Sequence, residues 1–147
     1  MGGVERRANP PPPFTALSRR AARPLAWLAA AYTLVLVFYT HHPQPPLPAG
    51  AAAAGDKTLH FLAYGALAGC VGLAMAARGG WTWRLAARLV AGLAAFAVVD
   101  EATQPLFNRY ADPLDWGFDC IGLTVGAAVV TAGVAVVRWW RKSSRPV

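Results

Sequence analysis

Four apolar runs, each about long enough to cross a bilayer as a helix, occupy most of this 147-residue chain. A helix needs about 20 residues to cross ~30 Å of hydrocarbon, so four crossings leave little for a soluble domain. Inside lipid the backbone must satisfy its own hydrogen bonds, which a helix does within one segment. The sequence therefore predicts an all-α, polytopic membrane protein: a bundle of four transmembrane helices, with spans at about 24–40, 57–77, 84–104 and 113–140. Composition agrees. Only 14% of residues are charged and mean hydropathy is +0.36, whereas a soluble domain carries about a quarter charged residues.

Charge sets the direction of the spans. Six of the seven carboxylates (Asp56, Asp100, Glu101, Asp112, Asp115 and Asp119) fall at ends that alternation would bring to one face. Twelve of the 14 lysines and arginines fall at the other ends, with Glu5; only Lys57 and Arg109 accompany the acids. Basic loops stay on the inner side during insertion, which places both termini in the cytoplasm and the acidic ends outside. The net charge of +7 is thus a topology signal. No nucleic-acid partner is expected, and the lipid bilayer is the first partner.

Flanking segments follow from composition. Residues 1–23, with Pro10 to Pro13 and five arginines, read as a disordered basic cytoplasmic tail. Residues 24–140 form one membrane domain and 141–147 a second basic cytoplasmic tail. A basic run before an apolar one also describes a signal peptide. Residues 41–48 separate the run from the cleavage-like Ala51 to Ala54, and the first span is expected to be retained. A Pro- and Ala-rich external loop fills 41–55. Arg78, Gly79 and Gly80 make an inner turn, with Trp81 and Trp83 at the interface beside Arg84 and Arg88. Asp112 before Pro113 has the form of a helix N-cap. Cys70 and Cys120, in separate spans, are expected to be small buried packing residues.

Specific chemistry should lie at the acidic ends. Asp56 and His60 are four apart, and Lys57, His60 and Tyr64 share a helix face; an ionisable residue facing lipid is costly, so His60 should face the interior. Asp115 and Asp119, also four apart, continue into Gly122 and Gly126, and Gly65 and Gly69 have the same small-residue spacing, which permits close helix approach. Helix dipoles support Asp56 and Asp115, which open helices. Asp100 and Glu101 close one, where a carboxylate is disfavoured by ~0.3–1 kcal/mol. Gln104 shares the face of Glu101, and Arg109 and Lys57 are the cations available to the acids. The set therefore centres on the end of the third span.

Together these blocks resemble the VanZ-like family of bacterial membrane proteins: Asp56-Lys57-x-x-His60-Phe61-x-x-Tyr64, then Asp100-Glu101-x-x-Gln104, Arg109, and Asp115-x-x-x-Asp119-x-x-Gly122. The resemblance covers roughly residues 24–135. Where the family usually has Asn, this chain has Asp119, which when ionised only accepts hydrogen bonds. The resemblance implies a multi-pass protein of the bacterial cytoplasmic membrane and cell envelope, and an antibiotic-resistance accessory that lowers susceptibility to teicoplanin-type glycopeptides.

Three functions fit the residues. In the first, the outer cluster (Asp56, Lys57, His60, Tyr64, Asp100, Glu101, Gln104, Arg109, Asp115 and Asp119) binds an amphiphilic envelope molecule, a lipid-linked cell-wall precursor or a lipoglycopeptide. In the second, the chain is a membrane-embedded enzyme acting on a lipid headgroup, with Glu101 or His60 as general base. In the third, the cluster is a structural clasp joining helix ends. No cofactor is expected. A metal held by Asp56, His60, Glu101 and Asp115 is conceivable, but no local spacing resembles a standard metal motif, and no metal is expected either. The pair His41-His42 has too few companions for one.

Overall fold

The computed structural model describes residues 13–46 and 55–144. Residues 1–12 of the expected disordered tail (1–23), most of the external loop (47–54) and the last three residues lie outside them. Four helices account for nearly all of the described chain: α1 (Pro13–His41), α2 (Asp56–Ala77), α3 (Trp83–Thr103) and α4 (Pro113–Ser143). A short 3-10 turn, Gln104–Phe107, follows α3. The described residues contain no strand.

Helix α1 starts well before the expected Pro24. Residues 13–23, read from sequence as part of a disordered tail, are helical. The proline run ends at Pro13, and the first helical position tolerates proline because its N–H would have no partner. Ala, Leu and Arg then follow, all strong helix formers. Pro24 lies inside α1. Helix α4 likewise runs three residues past Trp140 into the basic segment, where Arg141 and Lys142 in its last turn suit the negative end of the helix dipole.

Helices α2 and α4 run parallel and share the most extensive contact. Glycines make that contact possible. A Cβ on Gly122 would collide with the carbonyl oxygen of Phe61, and one on Gly126 with that of Gly65. One turn further, Gly72 sits against Val130 and Trp81. Gly69 plays no such part: a Cβ there would meet nothing within 4 Å. Helix α1 packs antiparallel on α2, where the Tyr32 hydroxyl donates to Ala63 O at 2.9 Å.

The turn between α2 and α3 needs Gly79 and Gly80, whose φ angles of 90° and 78° are left-handed. Thr82 then caps α3 by accepting from Leu85 N–H at 3.2 Å. The two tryptophans expected at an interface here part company. Trp83 is 70% exposed and stacks under Arg84, whereas Trp81 is 2% exposed. Its indole N–H donates to Thr131 Oγ1, and its carbonyl accepts from Arg138. Burial follows because both polar atoms have partners on α4. Cys70 and Cys120 are half-buried free thiols.

Much of the apolar surface faces outward, including Leu34, Val99, Val129 and Val136. Among the described residues, three helical segments are long and apolar enough to cross a membrane: Arg19–His41, Asp56–Ala77 and Pro113–Ser143. Helix α3, with 21 residues, has a similar length, but Arg84, Arg88, Asp100 and Glu101 leave it a shorter uncharged stretch.

Candidate functional site at the acidic helix ends

The start of α2, the end of α3 and the start of α4 meet at one end of the bundle, joined there by the end of α1. Sequence alternation alone would bring these ends together; side-chain bonds lock them. Lys57 Nζ donates to Asp112 Oδ2 at 2.9 Å and to Asp115 Oδ1 at 3.1 Å. His60 Nδ1 lies 3.0 Å from Asp119 Oδ1, and its Nε2 lies 3.8 Å from Asp115 Oδ2. Tyr64 OH donates to Asp100 Oδ2 at 2.8 Å, and Thr40 Oγ1 donates to Asp100 Oδ1 at 3.1 Å.

Asp100 and Glu101, which no helix dipole supports, are compensated through tertiary partners instead. Both are buried. Asp100 accepts from α2 and α1, as above. Glu101 accepts from Gln104 Nε2 at 2.8 Å and, through its other oxygen, from the backbone N–H of Asp112. Hydrogen bonds to a carboxylate are each worth ~1.5–3 kcal/mol, enough to outweigh the dipole term of ~0.3–1 kcal/mol.

Asp112 caps α4 as its sequence position implies, accepting from Leu114 N–H at 2.9 Å. The Lys57 ammonium beside it, and then that N–H, hold its carboxyl below the usual carboxylate range. A depressed folded pKa means stability that is fully present above the unfolded pKa and lost as pH falls through the folded one. The Lys57–Asp112 clasp should therefore hold above about pH 4 and open at lower pH. An Asp112→Asn variant is expected to lose part of the acid limb seen in a stability-against-pH profile of the wild type in detergent; identical profiles would refute the assignment.

Of the ten residues singled out from sequence, eight make side-chain hydrogen bonds, in three neighbouring groups: Lys57 and Asp115 with Glu101 and Gln104 by way of Asp112, His60 with Asp119, and Tyr64 with Asp100. Arg109 stands apart from the acids, its guanidinium 3.5 Å from His42 O. Asp56 is exposed and makes no side-chain hydrogen bond among the described residues. Both line a cavity of about 510 Å³ between α1 and α2. Its polar end carries Asp56, His60, Arg109 and Thr40, and its wall is formed by Val35, Leu36, Leu59 and Ala63.

The end of α1 contributes more than its sequence suggested. His41 Nε2 bonds Thr103 Oγ1 at 2.9 Å, and His41 Nδ1 sits 3.6 Å from Asp100. Tyr32 and Tyr39 line the cavity. No spacing flags His41, because its partners Asp100 and Thr103 lie some 60 positions away.

Described residues that form helices and no strand, with three helices long and apolar enough to cross a membrane and a buried polar cluster at one end, are what fold and site define. Comparison with protein-family models, with curated proteins and with solved structures gave no match.

Proposed function

We propose that this chain is a VanZ-like, four-span protein of the bacterial cytoplasmic membrane, with both termini inside, that binds an amphiphilic envelope molecule at its outer face. Such binding lowers susceptibility to teicoplanin-type glycopeptides. The supporting observation is the cavity between α1 and α2, apolar along its wall and carrying Arg109, His60 and Asp56 at one end. An acyl or polyprenyl chain matches Val35, Leu36, Leu59 and Ala63, and a phosphate or carboxylate headgroup matches the Arg109 fork. α3 counts as the fourth span on this reading. Its arginines snorkel at one interface, and its two acids are sheltered inside the bundle rather than facing lipid.

The test expresses the chain in a teicoplanin-susceptible bacterium beside Arg109→Lys and Glu101→Gln variants, with folded protein recovered in detergent measured in parallel. The wild type should raise the inhibitory concentration. Arg109→Lys should fold normally yet weaken binding of a polyprenyl phosphate about tenfold, because lysine cannot reproduce a two-pronged contact. A wild type without effect on susceptibility and without affinity for that lipid would sink the proposal.

One observation favours an enzyme as the second reading. The Asp119–His60 pair, with His60 on the cavity wall, is the arrangement that orients an imidazole as general base. Turnover of a lipid headgroup by purified protein, lost in His60→Gln, would select it over binding alone.

A further inference from the structure

The polar cluster holds more buried negative charge than its cations balance. Asp100, Glu101, Asp115 and Asp119 are all buried. Lys57 reaches only Asp112 and Asp115, and does so from a partly exposed position. Within the cluster, donor atoms of Asp56, His60 and Asp115 lie within 4.8 Å of one another. Asp119, 0% exposed, accepts from His60 Nδ1 at Oδ1, while its Oδ2 is buried with no hydrogen-bond partner among the described residues. An orphaned buried acceptor costs ~1–3 kcal/mol, so the Asp119–His60 pair is not fully satisfied by the side chains around it.

We infer that Asp56, His60 and Asp115 bind a divalent transition-metal cation of the Zn2+ type, with Asp119 holding the ligand imidazole in place. The chemistry of each group fits. Asp119 accepts a hydrogen bond from His60 Nδ1–H, which fixes the tautomer with a lone pair on Nε2; this carboxylate–imidazole–metal order is the usual support of a metal-binding histidine. Asp115 engages Lys57 through Oδ1, leaving Oδ2, which already lies 3.8 Å from His60 Nε2. Donors sharing one tetrahedral ion at ~2.1 Å sit ~3.4 Å apart, so this pair needs only a small movement. Asp56 is exposed and free to turn, and it closes the third position. An imidazole among the donors favours Zn2+ over Mg2+ or Ca2+. Three protein ligands leave a fourth position for water or an anionic group, on the side where Asp56 and His60 line the cavity. The site stands on these donors alone and does not depend on an amphiphile occupying that cavity.

The test uses the full chain, purified in detergent, stripped with chelator and titrated with Zn2+, and separately with Co2+, whose visible bands report coordination. The wild type should bind one equivalent and gain thermal stability that chelator removes. Asp56→Asn should weaken binding tenfold or more while folding normally, since the Asp56 side chain makes no hydrogen bond among the described residues. His60→Gln should abolish the cobalt bands, and Asp119→Asn should weaken affinity about 10–100-fold as the imidazole loses its support. Wild type that retains no metal would overturn the inference, and so would Asp56→Asn binding as tightly as wild type.

Discussion

Alanine at Gly122 or Gly126 is expected to loosen the bundle more than alanine at any other helical glycine among the described residues. Each new Cβ would run into a backbone carbonyl of α2, at Phe61 and Gly65 respectively. A carbonyl in a helix cannot rotate away as a side-chain tip can. The two helices would have to separate along their whole parallel contact, at a cost on the order of 1–3 kcal/mol per site. Gly69→Ala is the control, because its Cβ would meet nothing within 4 Å and alanine is the better helix former. Thermal unfolding in detergent should show lower midpoints for Gly122→Ala and Gly126→Ala, and an unchanged or raised one for Gly69→Ala. Equal midpoints in all three would mean that the close approach carries no weight.

Removing the Asp100 carboxylate should cost on the order of 3 kcal/mol or more, because two hydrogen bonds to a charged group are lost together. The Tyr64 hydroxyl is left buried and without its acceptor, whereas Thr40 keeps a bond to Val37 O. Asp100→Ala should therefore be much less damaging in a Tyr64→Phe background, and a double-mutant cycle measures the difference as a coupling energy. Strict additivity of the two changes would show that the hydrogen bond seen at 2.8 Å contributes nothing.

How far the sequence shows this depends on whether the interacting residues are near one another in the chain. The cap at Asp112, the His60 face and the glycine seam at Gly122 and Gly126 rest on helical spacing, and all are visible in sequence. So is the anomaly of Asp100 and Glu101 at a helix C-terminus. Its resolution is not, because the donors come from Tyr64, Thr40 and the Asp112 backbone on three other parts of the chain. The same distance hides His41 and Thr103, and it hides the cavity that needs both α1 and α2. The early start of α1 is hidden for a different reason. Proline breaks a helix interior but suits its first position, and composition alone does not say which of several prolines is first.

Glu101 accepts the backbone N–H of the very residue that caps α4, and this gives the chain a sense of completion. Helices α2 and α3 precede α4 in the chain, so Lys57 and Glu101 are made before their partners Asp112 and Asp115. Arrival of α4 supplies Asp112, Asp115 and Asp119 at one stroke and closes the cluster. The polar end thus serves as a latch that α4 closes, because Glu101 and Lys57 find these partners only when its first turn is in place.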